Sequence, residues 1–382
     1  MGSQLKDLAA VGQSVWLDNI NRSMFSSGEL KDLIGDGLRG QTSNPTIFEK
    51  AIGHGTDYDA QLKTLIGGER DAQNLFEALA IEDIRAACDL FRPVFESTKG
   101  LDGYVSLEVS PTLARDTKGS TDAAARLWKA VDRPNVMIKI PGTPECIASI
   151  RASIAAGINI NVTLLFSVEQ YAAAANAYID GIDDRVKAGL PVDKIASVAS
   201  VFVSRIDSNI DKQIDDKIAA GGDASLADLK GKAGIANLKL TYAKFEELFH
   251  GQGYAALEAK GAKVQRPLWA STSTKNPTYD DLMYVVTVVG ADTVNTMPPN
   301  TMKTLMDRGK VVADTIHTDV AGGKAAIDAL QAKAGISLKA VTDQLVAEGV
   351  KSFAKSFADM LAAITGKAEQ LAGKQPVKVE AS

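Results

Sequence analysis

Cysteine and histidine are scarce in this sequence. Among 382 residues there are two cysteines and three histidines. Cys88 and Cys146 form no CxxC pair, which argues against a disulfide framework or a cysteine zinc site, and we expect both to be buried thiols. His54, His250 and His317 lie far apart in the chain, so neither a histidine-ligated metal nor a Ser-His-Asp triad is favoured. In an enzyme of this composition, lysine and carboxylates would carry the proton transfers.

The sequence also lacks an excess of basic charge and any long apolar run. Its formal net charge is −5 and its pI is about 5.4, which argues against a nucleic-acid or anionic membrane surface. The apolar run at residues 282–291 is too short to span a bilayer, and no basic segment followed by an apolar one opens the chain. We therefore expect a cytoplasmic protein that binds neither nucleic acid nor membrane.

Short strand-like runs alternate with helical patterns along the chain. The eight runs are residues 14–19, 40–45, 104–110, 136–141, 158–166, 196–204, 266–272 and 292–297. This order predicts parallel βαβ units and a closed α/β barrel of the (β/α)8 TIM type. Residues 46–103 and 205–265 are too long for one crossover helix, so we expect additional helices inserted after strands 2 and 6. A single domain is predicted over residues 1–366, followed by a polar tail at 367–382.

The glycine-rich motif GDGLRG, at residues 35–40, matches the G-x-G-x-x-G pattern of a dinucleotide-binding fingerprint. Such a fingerprint must follow a strand and open a helix. Here a predicted helix precedes the motif and a strand follows it. The glycines are better explained as a helix end and a turn, and they give no support for a nucleotide cofactor.

Lys139 is the one charged residue in the apolar run NVMIKIPGT. Because side chains alternate along a strand, Lys139 lies opposite the face formed by Val136, Ile138 and Ile140. It could protect a sheet edge, although a closed barrel has none. It could also form a structural ion pair with Glu108, or act as an amine nucleophile, since a desolvated lysine loses its charge more readily.

Other polar residues share the inward face of the predicted strands or lie at their ends. Alternation places Glu108 inward in the third run, and Asn161 and Thr163 inward in the fifth, near the level of Lys139. The opposite face of the fifth run consists of Ile158, Ile160, Val162 and Leu164. Asp18 and Asn44 fall at the ends of the first two predicted strands. Polar groups at the carboxyl ends of barrel strands favour an active site over a purely structural ion pair.

This set of residues is suited to Schiff-base chemistry. An amine such as that of Lys139 must be partly neutral to attack a carbonyl, and loss of water from the carbinolamine needs a proton shuttle. Glu108, on the neighbouring strand, suits that role. Cleavage of the carbon–carbon bond beta to the iminium needs a separate base, for which Asp18 is available, while Asn44 and Asn161 can hold hydroxyl groups.

Cations and hydroxyls follow strands 6 and 7. Ser200 and Arg205 belong to SVFVSRIDSN, and Ser273 and Lys275 belong to ASTSTKNP. Phosphate sites of TIM barrels commonly form from late loops, and such clusters suit phosphate oxygens. The alternative for Arg205, a solvated position at the start of a charged helix, is equally open from the pattern alone.

Seven motifs occur together, in the order VWLDNINR, GQTSNPTIF, VSLEVSP, IKIPGT, INVTLLFS, FVSRID and WASTSTKNP. With them the chain resembles a transaldolase of the longer bacterial branch, from about residue 14 to residue 310. The resemblance implies transfer of a dihydroxyacetone unit from sedoheptulose 7-phosphate to glyceraldehyde 3-phosphate, in the pentose phosphate pathway, with no metal or cofactor. Sugar phosphates are the implied partners, and we expect a monomer or a homodimer.

The resemblance also implies roles for the residues singled out above. Lys139 matches the Schiff-base lysine, and Asp18 matches the acid/base at the cleaved carbon–carbon bond. Glu108 matches the carboxylate that works through a bound water, and Thr163 matches the residue that holds that water.

For substrate binding, Asn44 and Asn161 match the family's amides, and Ser200 and Arg205 match its phosphate contacts. Ser273 and Lys275 are further candidate phosphate contacts. Many shorter transaldolases carry an arginine at the Lys275 position. Arginine binds phosphate as a planar fork, whereas lysine binds it as a point charge.

Two alternatives stay open. A fructose 6-phosphate aldolase would release the adduct as free dihydroxyacetone, and such relatives typically carry Gln and Tyr where this chain has Glu108 and Phe202. A catalytically silent barrel that only binds sugar phosphates would be favoured by loss of the lysine or of either carboxylate. The chain keeps Lys139, Glu108 and Asp18.

Overall fold

The computed structural model describes residues 3–68 and 71–373. The strands are β1 Gln13–Asp18, β2 Gly40–Thr42, β3 Tyr104–Glu108, β4 Val136–Pro141, β5 Ile160–Leu165, β6 Ser197–Phe202, β7 Gln265–Ala270 and β8 Thr293–Met297. The α-helices are α1 Gln4–Ala10, α2 Arg22–Ser26, α3 Glu29–Asp36, α4 Pro45–His54, α5 Asp59–Ile66, α6 Ala72–Ser97, α7 Thr117–Val131, α8 Ile147–Ala155, α9 Val168–Lys187, α10 Ser204–Ala219, α11 Ala233–Phe249, α12 Ala255–Glu258, α13 Met283–Val286, α14 Pro299–Arg308, α15 Val320–Ala334 and α16 Leu338–Leu371. Short 3-10 helices lie at Pro111–Leu113, Pro144–Cys146, Ala224–Leu229 and Thr315–His317.

The strands form one closed parallel barrel in chain order. β8 returns to β1, with a register that runs from Gln13 beside Thr293 to Leu17 beside Met297. Between β2 and β3 lie α4, α5 and α6, and between β6 and β7 lie α10, α11 and α12. The predicted (β/α)8 barrel, with additional helices after strands 2 and 6, is confirmed.

The motif GDGLRG joins a helix to a strand, as its order in the sequence suggested. α3 ends at Asp36, and Gly37 adopts a left-handed conformation with φ of +116°. Gly40 opens β2, where a Cβ atom would lie 2.6 Å from the Trp16 ring. The glycines therefore end a helix and make room inside the barrel.

Alternation along the strands divides the apolar side chains into two layers. Val105, Leu107 and Ile138 face the surrounding helices and belong to the larger core cluster. Tyr104 and Met137, on the same strands, point to the barrel interior and belong to a second cluster. The predicted faces of β3 and β4 are therefore correct. Cys88 and Cys146 are buried free thiols, which was the expectation.

The predicted alternation fails near the end of β5. The register shifts between Val162 and Leu165, and Leu164 has a left-handed backbone with φ of +59°. Leu164 therefore leaves the outward face predicted for it and joins the inner cluster. Its Cδ2 atom would lie 2.9 Å from a Cβ atom added to Gly349 of α16. The physical cause is the bulge, because an extra residue in a strand reverses the face on which the later residues lie.

The last helix, α16, packs on α4 and also contacts α5, α6, α10 and β5. Thr46 Oγ1 donates a hydrogen bond to Ser356 Oγ over 2.9 Å. The rings of Phe76 and Phe357 meet edge to face, with their centroids 5.8 Å apart. These contacts hold α16 across the helices inserted after β2.

The predicted boundary at residue 366 falls inside α16, which continues to Leu371. Lys367 begins the predicted polar tail, but its amine pairs with Asp59 at 2.9 Å and donates to the Ile52 carbonyl at 3.0 Å. Ala368 is fully buried. The polar composition at this point is thus compatible with a packed helix. The rest of the predicted tail, residues 374–382, lies outside the described residues, and the single-domain organisation stays a prediction.

A buried ion pair closes the amino-terminal end of the barrel. Arg266 donates to Asp102 Oδ1 at 2.9 Å, to Ser14 Oγ at 2.9 Å and to the Leu101 carbonyl at 2.7 Å. Ser14 donates in turn to the second Asp102 oxygen at 2.9 Å. The charges of Arg266 and Asp102 are therefore compensated by hydrogen bonds as well as by each other.

In the described ranges, none of the helices is both long and apolar enough to cross a membrane.

Candidate active site

Lys139 lies inside the barrel with 5% of its surface exposed. On β4 it stands opposite Glu108 of β3 on one side and Asn161 of β5 on the other. Its Nζ atom is 3.2 Å from Glu108 Oε2 and donates to the Ser43 carbonyl at 3.4 Å. Because β4 is paired along both sides, Lys139 protects no sheet edge.

Glu108 supplies a buried carboxyl group, with 6% of its side chain exposed. Burial raises the pKa of this carboxyl, the Asp18 charge raises it further, and the Lys139 ammonium acts in the opposite direction without cancelling the rise. Apart from this ion pair, no aligned hydrogen bond from the described residues reaches Oε2. A carboxyl with a raised pKa holds its proton at a higher pH than an ordinary glutamate does and can deliver it to a leaving group.

Asn161 and Ser200 form a hydrogen-bonded row beside Lys139. Asn161 Nδ2 donates to Ser106 Oγ at 3.0 Å, and Ser200 Oγ donates to Asn161 Oδ1 at 2.8 Å. One amide hydrogen of Asn161 is not used in this row. Thr163 is fully buried, and its Oγ1 atom has no hydrogen-bond partner among the described residues. Its hydroxyl is thus free to bind a small polar molecule.

Asp18 and Asn44 lie at the carboxyl ends of β1 and β2, as predicted. Thr42 donates to Asp18 Oδ1 at 2.8 Å and pairs with Thr296 at 3.0 Å. Asn44 caps α4, because its Oδ1 atom accepts from the Ile47 backbone at 3.0 Å. The amide nitrogen of Asn44 takes no part in the cap.

Two cations lie on the far side of the site. Arg205 is in the first turn of α10, with its guanidinium carbon 5.3 Å from the centre of the Phe202 ring. Lys275 follows β7 and donates to Ser273 Oγ at 2.6 Å. Partial burial lowers the pKa of Lys275, and the nearby charge of Arg205 lowers it further. Repulsion of this kind is reduced when an anion binds between the cations.

These side chains surround a cavity of about 330 Å³. Its lining includes eight of the predicted residues, namely Asp18, Asn44, Lys139, Thr163, Ser200, Arg205, Ser273 and Lys275. Glu108 and Asn161 stand behind the lining, against Lys139 and Ser200 respectively. The position of Arg205 in this lining favours a binding role over a solvated one. The volume is within the range of pockets for small organic ligands.

A tyrosine–aspartate network joins the two cation-bearing segments. Tyr279 donates to Asp211 Oδ2 at 2.5 Å, and Tyr284 donates to Asp207 Oδ2 at 2.7 Å. The Gly234 backbone donates to the other Asp207 oxygen at 2.7 Å. Burial raises the pKa of Asp207 to about 6, although these hydrogen bonds oppose the rise. The network connects α10, which carries Arg205, to the chain that follows β7.

One lining residue, Phe353 of α16, was not among the candidates drawn from the sequence. The centre of its ring lies 5.8 Å from Lys139 Nζ and 5.9 Å from the Arg205 guanidinium carbon. The only signal in the sequence was the apolar periodicity of α16, which is the pattern of any packed helix. That pattern does not tell which surface the helix covers.

In the described part of the chain, no cluster of three or more histidine, cysteine or acidic residues could hold a metal ion. The chemistry that the cavity offers is that of an amine, two carboxyl groups, amides, hydroxyls and cations.

Comparison with known proteins shows the family of this chain. The family profile described as Transaldolase/Fructose-6-phosphate aldolase matches residues 15–364. A protein of Trichodesmium erythraeum named Transaldolase is 46% identical over 375 residues, which cover 97% of this chain and 98% of that protein. Transaldolases of Mycolicibacterium smegmatis and Thermobifida fusca are 45% and 44% identical, over 95% and 97% of this chain and 97% and 99% of their own lengths. The chain therefore belongs to the transaldolase/fructose-6-phosphate aldolase family and is an enzyme of the transaldolase type, a transferase.

Proposed function

We propose that this enzyme moves a dihydroxyacetone unit from sedoheptulose 7-phosphate to glyceraldehyde 3-phosphate through a Schiff base on Lys139. The products are erythrose 4-phosphate and fructose 6-phosphate. The observation that carries the proposal is the buried Lys139 amine, 3.2 Å from the Glu108 carboxylate, in one cavity with Arg205 and Lys275. An amine for the carbonyl and two cations for the phosphate match the two ends of a ketose phosphate.

In the first step the neutral amine of Lys139 attacks the ketose carbonyl and forms a carbinolamine. Glu108 accepts the proton that the ammonium must lose before attack, and returns a proton to the hydroxyl group that leaves as water. The raised pKa of Glu108 favours this return. We assign the transfer to a bound water held by Thr163, whose buried hydroxyl has no protein partner among the described residues.

In the second step Asp18 accepts the proton of the substrate hydroxyl next to the bond that breaks. The electron pair of that carbon–carbon bond moves to the iminium, so that an enamine stays on Lys139 and an aldose phosphate leaves. The second aldehyde then adds to the enamine, and Asp18 returns its proton to the new alkoxide. The Thr42 hydroxyl, 2.8 Å from Asp18 Oδ1, orients the carboxylate for both transfers.

Binding is divided between the amides and the cations. Asn44 supplies an amide group that the helix cap does not use, and Asn161 supplies its second amide hydrogen beside Ser200. Arg205 and Lys275, with Ser273, bind the phosphate group.

Reductive trapping tests the proposal directly. Borohydride with fructose 6-phosphate is expected to add the mass of the reduced adduct to the peptide that contains Lys139. Lys139→Ala is expected to abolish both the trapping and the transfer to erythrose 4-phosphate. Lys50 also lines the cavity and provides a matched control, because Lys50→Ala should leave the label on Lys139. A label on any other lysine would overturn the mechanism.

Product analysis separates transfer from the aldolase alternative. With fructose 6-phosphate alone, a transferase retains the dihydroxyacetone adduct and releases little free dihydroxyacetone. Addition of erythrose 4-phosphate should then give sedoheptulose 7-phosphate. Release of dihydroxyacetone at a rate equal to that of donor cleavage would identify the enzyme as a fructose 6-phosphate aldolase instead.

We also propose that the enzyme works in the cytoplasm, where its sugar phosphate substrates are dissolved, as a monomer or a homodimer. Fractionation of the source cells and sedimentation equilibrium of the purified enzyme test these two points. Recovery of activity with the membrane or secreted fraction would exclude the cytoplasmic assignment.

A further inference from the structure

Phe353 covers the region between the two ends of the proposed substrate. Its ring centre is 5.8 Å from the Lys139 amine, which forms the Schiff base, and 5.9 Å from the guanidinium carbon of Arg205, which binds the phosphate. A ketose phosphate bound to both groups must pass close to this ring. Phe353 lines the cavity and is itself buried, with 6% of its surface exposed.

Contacts on both sides of Phe353 fix its height above the barrel. One helical turn before it, Gly349 lies so close to Leu164 that an added Cβ atom would be 2.9 Å from Leu164 Cδ2. Three residues after it, Ser356 accepts the hydrogen bond from Thr46 at 2.9 Å. The approach of α16 to the mouth of the barrel is thus set by a glycine and a hydrogen bond.

The ring suits a site in which a positive charge forms on Lys139. Aromatic faces attract cations within about 6 Å of the ring centre. Lys139 is a cation as an ammonium and again as the protonated Schiff base. The ring therefore favours the ammonium and iminium states of Lys139, whereas its apolar edge offers no hydrogen bond to water.

We infer that Phe353 keeps water from the dihydroxyacetone adduct on Lys139 and thereby sets the ratio of transfer to release. This inference rests on the proposed Schiff base. Release requires that the enamine carbon takes up a proton to give an iminium, and that a water oxygen adds to the iminium carbon. The carbon–nitrogen bond then breaks and yields dihydroxyacetone and the free amine. Addition of water to the iminium is shared with release of the transfer product, so Phe353 acts on the first of these steps: it keeps water, the proton donor, from the enamine carbon.

The test compares Phe353→Ala with Phe353→Leu. For each variant, the release of dihydroxyacetone from fructose 6-phosphate alone is measured against the transfer to erythrose 4-phosphate. We expect Phe353→Ala to raise the ratio of release to transfer about tenfold or more. Phe353→Leu, which keeps an apolar cover, should raise it less. Ser352→Ala, at an exposed position of the same helix, should leave the ratio unchanged.

Borohydride trapping distinguishes failure of this inference from failure of the proposed function. If the wild-type enzyme shows no label on Lys139, no Schiff base forms there, and both the proposed function and this inference are wrong. If the label persists in both Phe353 variants but the ratio stays within about twofold of wild type, the inference is wrong and the proposed function stands. Thermal unfolding of each variant shows whether α16 is still packed. If Phe353→Ala does not fold, the ratio measured for Phe353→Leu decides the test.

Discussion

At the scale of single residues, Asn44 combines a role in folding with the binding role that we propose for it. Its Oδ1 atom caps α4 by accepting from the Ile47 backbone at 3.0 Å. Its amide nitrogen is available to the cavity, whose lining it joins. Because the two atoms have different tasks, substitution can separate them.

Asn44→Asp should weaken binding and leave stability unchanged. Aspartate caps a helix about as well as asparagine, but it replaces the amide donor with a carboxylate. We expect the KM for fructose 6-phosphate to rise about tenfold, which is the loss of one good hydrogen bond. Asn44→Ala should also cost about 1 kcal/mol of stability because the cap is lost. An unchanged KM in Asn44→Asp would show that the amide does not touch the substrate.

Asp207 carries the second prediction at this scale, a pH dependence of stability. Its folded-state pKa is about 6, above the ordinary value of 3.8, because the carboxyl is buried. Between these values the folded state binds more protons than the unfolded state, so stability falls as pH rises. The two hydrogen bonds from Tyr284 and Gly234 oppose this effect without removing it.

Asp207→Asn should remove this dependence, because the amide does not titrate. Between about pH 4 and pH 7 the wild type should lose about 3 kcal/mol of unfolding free energy relative to the variant. Urea unfolding at several pH values measures the difference. A difference that is constant with pH would show that Asp207 has an ordinary pKa in the folded enzyme.

At the scale of elements, the site depends on the contact between α10 and residues 271–282. α10 carries Arg205, the loop carries Lys275, and the hydrogen bond from Tyr279 to Asp211 joins them at 2.5 Å. The two cations can bind one phosphate group, as we propose, only if these elements keep their spacing.

Tyr279→Phe removes the hydroxyl group that donates this hydrogen bond and keeps the aromatic ring. We expect the KM for both sugar phosphates to rise severalfold, with little change in kcat and a stability loss of about 1 kcal/mol. Tyr254→Phe is the matched control, since Tyr254 donates to the Lys263 carbonyl away from the cavity. Equal changes of KM in the two variants would contradict a positioning role for Tyr279.

The success of sequence reasoning differs from one element to another. On β3 and β4, side chains alternate regularly, so Glu108 and Lys139 could be placed inside the barrel side by side, as the register shows. On β5 the left-handed backbone at Leu164 breaks the alternation, and no glycine or asparagine in the sequence marks it. Phe353 could not be found, because helical periodicity identifies an apolar face but not its partner in a distant part of the chain.

At the scale of the whole molecule, the two ends of the barrel have separate tasks. The amino-terminal end holds Arg266 and Asp102 in a buried ion pair, and the carboxyl-terminal end holds the Lys139 cavity. In TIM barrels the first of these ends supports stability, while the second carries the chemistry.

Arg266→Met should therefore reduce stability without altering catalysis. Removal of one partner of a buried pair costs about 3 to 5 kcal/mol, because the other charge is left uncompensated. We expect that loss in urea unfolding, together with unchanged KM and kcat at a temperature where the variant is folded. The double variant Arg266→Met/Asp102→Leu should lose less stability than the single one. A change in KM for the sugar phosphates would show that the two ends are coupled.

The place of Phe353 has a consequence for protein engineering. Each inward residue of a barrel strand is constrained by two neighbouring strands, so few replacements there leave the amine and its carboxyl group undisturbed. Phe353 belongs to α16, a segment outside the repeating strand–helix pattern, and it reaches the amine from above. A combinatorial library restricted to this helix could thus change how the intermediate is partitioned while the inherited reaction centre stays intact. Selection for dihydroxyacetone release from such a library would show how far substitutions in α16 alone can change the ratio of release to transfer.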